Sequence, residues 1–310
     1  MHLIKHFIAT VLLIWAATIC AVAQLTMEKD VEGLLILEKG EKVLFYQAEP
    51  LDFDGKYERR HYFHPLWAPD GSVLTEDFPI DHLHHRGVFW AWHQVWIYGL
   101  RIGDPWELVD FEQEVTDMEF SSRKDGSGVL STQVNWMSEN WKKSGLKVPY
   151  MKESTTVIIY PKKKNFRRID FEINLLALEK ELFIGGSEDE KGYSGFSVRS
   201  VLPDDVKFLG PAGEVEPEVT AVESPGFIHI SGSLGKNGNK AGIVILDHPK
   251  NPGYPQPWIL RRKNSMQNAA FPGNVTIPVS TSSPLVLKYT LIVYSGKLSN
   301  SRIKRFLNTL

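Results

Sequence analysis

Apolar and polar residues alternate at period two over most of this chain. That pattern admits strands with one buried face and leaves little room for long helices. In Arg168 to Leu176, Ile169, Phe171, Ile173 and Leu175 alternate with Asp170, Glu172 and Asn174, so one face is apolar and the other wet. Similar runs recur at 33–47, 154–160, 227–231, 241–246 and 284–294. The first doubles back at Lys39-Gly40-Glu41-Lys42, a short glycine-containing loop suited to a hairpin. One helix is predicted, at the end: Ser299 can accept from first-turn amides, and Ile303, Phe306, Leu307 and Leu310 form an apolar stripe. The expected fold is all-β, a large antiparallel β-sandwich with a short C-terminal helix, built from residues 24–310 as one domain. The length exceeds the ~100 residues of an immunoglobulin-like sandwich, so two fused sandwiches are the alternative.

Residues 1–23 are set apart from that fold. Lys5 and His6 precede an apolar run from Phe7 to Cys20, and Ala21-Val22-Ala23 is a small-x-small cleavage site, the pattern of a secretory signal peptide. Cleavage after Ala23 would remove Cys20, the only cysteine, and with it any disulfide or thiolate chemistry. No later segment approaches the 18 or more apolar residues of a membrane span, so the expectation is a secreted, periplasmic protein without membrane insertion after cleavage. Its 35 basic and 37 acidic side chains nearly balance, which argues against binding nucleic acid through bulk charge.

Candidate chemistry concentrates in one stretch. His61, His64, His82, His84, His85 and His93 fall within it, and Asp81 to His85 is followed directly by Arg86-Gly87. Imidazoles titrate near neutrality, so a cluster of them suits acid-base work. His84 and His85 are the expected central acid/base pair, with His64 and His248 as further proton carriers. Arg86 is the expected oxyanion stabiliser, and Asp81 and Asp247 the orienting groups. In an extended segment His82 and His84 share a face and His85 points away, unless Gly87 marks a bend. A divalent metal would draw on His82, His84 and Glu76, yet the run matches none of the sharply spaced zinc signatures, and no metal is assigned.

Trp90, Trp92, Trp96 and Trp106 crowd the same stretch. Indoles stack on sugar rings and also fill cores; Trp90 and Trp92, on one face of a strand, suit either role. Trp258 follows a proline-rich loop carrying Asp247, His248 and Asn251. Stiff loops with polar and aromatic tips are a usual way to present a site, which makes Trp90, Trp92, Trp258 and Asn251 candidate substrate-binding residues.

Tyr62-Phe63-His64-Pro65-Leu66, Asp81-His82-Leu83-His84-His85-Arg86-Gly87, the run Gly192 to Arg199, and Asp247-His248-Pro249-Lys250-Asn251-Pro252 resemble the DUF6807 family across about Leu35 to Gly296. One departure is Leu83, where the family pattern has proline. Members often carry the automatic label "methane oxygenase PmoA", but that enzyme's membrane subunit is built of spanning helices, which this sequence lacks. The resemblance implies instead a galactose mutarotase-like supersandwich in carbohydrate metabolism. The expected function is an exported carbohydrate-active enzyme acting by histidine acid-base catalysis on a sugar or oxidised sugar, as an epimerase, lyase or hydrolase. The alternatives are a non-catalytic glycan-binding protein and a metal-dependent oxidoreductase.

Overall fold

Two large antiparallel sheets carry the fold in the computed structural model, which describes residues 24–310. The signal peptide expected over 1–23 lies outside the described residues. One sheet has eight strands in the spatial order Leu25–Lys29, Gly33–Glu38, Glu41–Gln47, Tyr62–Leu66, Val88–Trp92, Ser194–Val198, Gln267–Ala270 and Trp258–Ile259. The other has nine, centred on Met151–Ile159, Phe166–Ala177, Leu285–Ser295 and Ala241–Asp247. The alternation read at 168–176 is seen directly: Ile169, Phe171, Ile173 and Leu175 are buried in the core cluster while Arg168, Asp170, Glu172 and Asn174 are half-buried. The expected hairpin turns at Lys39 and Gly40, both at positive φ.

The inner faces of both sheets merge into one apolar cluster, which makes the structure an all-β sandwich. Aromatic pairs bridge the layers, among them Phe63 with Phe171 at 5.4 Å and Phe196 with Tyr289 at 4.5 Å between ring centroids. The outer face of the nine-stranded sheet is covered in part by the helix Asn300–Leu307, whose Ile303, Phe306 and Leu307 pack on Phe166, Val244 and Leu246. Ser299 is the N-cap residue, but its hydroxyl turns to Ser301 (3.1 Å) instead of capping, and its carbonyl takes the first helical bonds.

A network centred on a carboxylate is sealed between the layers. Glu153, without exposure, receives His61 Nε2 at 2.6 Å, Thr155 Oγ1 at 2.6 Å, Trp90 Nε1 at 3.1 Å and Trp136 Nε1 at 2.9 Å. Tyr46 OH lies 2.8 Å from His61 Nδ1 and completes the chain. Burial alone would raise the Glu153 carboxyl; the facing imidazole and the donors outweigh it and hold the group below its usual range. His61 therefore belongs to the core and not to the histidine cluster. Glu153→Ala would strand four buried donors and should cost about 3–5 kcal/mol in urea unfolding, with Glu153→Gln costing less because its carbonyl still accepts. A loss below about 1 kcal/mol for the alanine variant would contradict this account.

Candidate functional site

The segment 76–87 is pinned to the end of the eight-stranded sheet by its own backbone. Glu76 N donates to Arg199 O at 2.9 Å, Gly87 N to Glu76 O at 2.9 Å, and Arg199 N to Gly87 O at 2.7 Å. Gly87 sits at φ +27°, and a Cβ there would meet Phe63 O at 2.0 Å, so only glycine lets this chain lie against the neighbouring strand. Between the pins the chain turns twice, with His82 N bonding Pro79 O and His85 N bonding His82 O, each at 2.9 Å. The segment is thus not extended. The turns stack His82 on His85 (4.7 Å, 8°) and set His84 edge-on to His85 at 4.5 Å, so all three rings meet.

Arg199, from just beyond the strand Ser194–Val198, organises these rings. Its Nη1 and Nη2 donate to the two oxygens of Asp81, both at 2.9 Å, and its Nε donates to Glu76 at 2.8 Å. Asp81 also faces His82 Nδ1 at 2.8 Å. Partial burial would raise the Asp81 carboxyl, but Arg199 and His82 hold it below its usual range. Nη1 lies 3.2 Å from His85 Nδ1. A guanidinium only donates, so Nδ1 accepts and the His85 proton sits on Nε2. Burial, reinforced by His84, His82 and Arg199, drives the His85 pKa far down. His84 is lowered to about 3 by burial and by the cations around it, Arg59 foremost. Both rings are neutral at physiological pH.

The rings stand on an aromatic floor formed by the outer face of the strand Val88–Trp92. His85 lies over Phe89 (6.3 Å) and meets the edge of Trp106 (6.2 Å), which packs on Phe89, His93 and Tyr193. His93 Nδ1 pairs with Asp104 Oδ2 at 3.0 Å. Glu107 Oε2 lies 3.4 Å from His84 Nδ1, and burial lifts its carboxyl above the usual range. The side chains of His82 and Glu107, 44% and 43% exposed, open the cluster to water, and Glu107 also lines a hollow of about 480 Å³ with Tyr57, Leu108 and Phe111.

Over residues 34–308 the sequence matches DUF6807, described as a family of unknown function. The chain belongs to this family. No curated protein matches the sequence.

In this DUF6807 chain several expected site residues lie elsewhere. Arg86 is fully buried and spent on the scaffold: Nε bonds Asp77 at 2.5 Å, Nη1 bonds the Leu51 and Tyr57 carbonyls, and Nη2 bonds Tyr62 OH. Four of its five N–H groups are taken and its side chain has no exposed surface, so it offers nothing to an oxyanion in the site. His64 pairs with Thr75 Oγ1 at 3.0 Å, and burial lowers its pKa. Trp90, Trp92 and Trp258 are at most 2% exposed and belong to the inter-sheet core, so they present no surface to a substrate. Asp247 and Asn251 hold their own loop, Asp247 accepting from Asn251 Nδ2 and Gln256 N, and Asn251 bonding the Lys288 backbone. Burial raises Asp247 to about 6. His248 lines a separate hollow of about 250 Å³ with Glu172 and Lys288 on the outer side of the nine-stranded sheet, so it does not join His85. Glu76 is taken by Arg199, and among the described residues no group of three or more His, Cys, Asp or Glu is placed to hold a metal. A larger hollow of about 570 Å³ lies beside the C-terminal helix, lined by cations such as Lys163, Arg302 and Arg305 but by no imidazole or carboxylate.

Sequence reasoning missed Arg199, Glu107, Asp104, Arg59 and Tyr193 as site members. The only available signal was that Tyr193 and Arg199 fall within the Gly192 to Arg199 run. The buried imidazoles make a pH prediction. His84 and His229, the latter lowered to about 4 by burial, have folded pKa values below the ordinary 6.5. Above about pH 6.5 they add no pH dependence; below it the unfolded chain takes protons that the folded chain refuses, so stability falls as pH falls toward 3. Denaturant midpoints should drop between about pH 7 and pH 4.5, and His84→Asn should flatten that drop. An unchanged slope in the variant would contradict the assignment.

Proposed function

We propose that this outer face is the active site of an exported carbohydrate-active enzyme performing acid-base chemistry on a sugar or oxidised sugar. The observation that carries the reading is the pairing of a solvent-reaching carboxyl of raised pKa, Glu107, with neutral, oriented imidazoles over an aromatic floor. A carboxyl lifted toward neutrality can both take and return a proton. His85, with Nδ1 occupied by Arg199, offers Nε2–H to a carbonyl or hydroxyl oxygen. Tyr193, half-buried over Trp106, gives a sugar ring an apolar face to lie on.

In this arrangement Glu107 withdraws a proton from a carbon beside a carbonyl. The electron pair of the broken C–H bond forms a carbon–carbon double bond as the carbonyl π pair moves onto the oxygen, where His85 donates. Return of a proton from water to the opposite face gives an epimer, and departure of a neighbouring oxygen substituent as hydroxide or alkoxide, which water protonates, gives an elimination. The roles fall to Glu107, His84 and His85, with Arg199 and Asp81 as positioning residues.

Incubation with keto-sugars, glycosides and sugar acids in deuterated water, read by NMR and mass spectrometry, tests the proposal. A substrate should exchange a carbon-bound proton, and Glu107→Gln should lower its turnover about 10²–10⁴-fold without loss of fold. Binding without product would make the protein a glycan-binding module. No binding of any sugar would contradict the proposal.

A further inference from the structure

We infer that the ligand of this site carries a carboxylate, and that Arg59 is the group that receives it. The inference rests on the reading of the site just given and narrows it to sugar acids. Four arginines are buried to 95% or more: Arg59, Arg86, Arg167 and Arg199. Three are paired with carboxylates, Arg86 with Asp77, Arg167 with Glu38, and Arg199 with Glu76 and Asp81. Arg59, only 3% exposed, has no ion pair among the described residues. Its Nη2 donates to Pro105 O at 2.7 Å, and its Nε is sealed from water with no acceptor among the described residues.

That cation sits on the site's own floor. Its guanidinium lies 4.9 Å over the Phe89 ring, the ring that also underlies His85, and its bond to Pro105 places it beside Trp106. It is the strongest charged neighbour acting on His84. Burial and the like charge of Arg86 pull its pKa to about 9, so it remains charged at neutral pH while being costly to keep there. A buried cation without an ion pair calls for an anion, and a carboxylate takes two parallel N–H bonds from a guanidinium. The carbon bearing that carboxylate is also the one whose C–H bond is acidified, which brings the reacting centre and the anchor into one ligand of the uronate or aldonate class.

Titration with glucuronate, glucose and acetate, followed by the histidine ring signals in NMR and by melting temperature, tests the inference. Glucuronate should bind at least about tenfold more tightly than glucose. The Arg59→Gln variant should lose that preference while melting, without ligand, no lower than the parent. Arg59→Lys, which keeps the charge without the fork, should retain part of the preference and covers the case in which Arg59→Gln fails to fold. Equal binding of glucose and glucuronate, or a preference that survives Arg59→Gln, would overturn it. Acetate binding that depends on Arg59, with neither sugar bound, would keep the anion site and remove the carbohydrate reading. Glucose binding without response to either anion would do the reverse, and silence to all three would remove both.

Discussion

The orientation of Glu76, Asp81 and His85 traces back to the Arg199 guanidinium. It is nearly sealed from water, 3% exposed, and meets three carboxylate oxygens and one imidazole nitrogen along its edges. A planar fork of fixed donors imposes direction on whatever accepts from it, which a flexible ammonium would not. By holding Asp81 and Glu76 it ties the irregular segment 76–86 to the end of a regular strand. By occupying His85 Nδ1 it also fixes which nitrogen of that ring keeps the proton.

The sandwich puts the space between its sheets and its two outer faces to different uses. The space between the sheets is filled by apolar side chains and by the Glu153 network, so the tryptophans that point inward are unavailable to a ligand. The outer face of the nine-stranded sheet is partly covered by the terminal helix. The outer face of the eight-stranded sheet carries the smaller aromatic cluster of Tyr62, Phe89 and Trp106. Buried imidazoles and Arg59, which has no ion pair among the described residues, stand on it, an arrangement that lowers stability and is expected where a ligand supplies the missing partner.

Strands and the terminal helix were legible because period-two alternation and a short apolar stripe are local properties of the chain. The histidine cluster was legible for the same reason: His82, His84 and His85 are neighbours in sequence, and turns at Pro79 and His82 gather them. The partners of the arginines were not legible. Arg86 adjoins the cluster in sequence yet faces Asp77, whereas Arg199 comes from 118 residues beyond Asp81. Which of them meets the rings is fixed by the pairing of the strands Val88–Trp92 and Ser194–Val198. The same holds for Trp90 and Trp92. Their parity placed them on one face, and only the packing of a second sheet decided that the face was internal.

The central claim is that His85 is a neutral ring locked by Arg199 with its proton on Nε2. Proton-coupled nitrogen NMR on histidine-labelled protein reads this directly. At about pH 6 the account predicts a neutral ring for His85 with its proton on Nε2, a state lost in Arg199→Lys. A His85 imidazolium at that pH, or a proton on Nδ1, would contradict it.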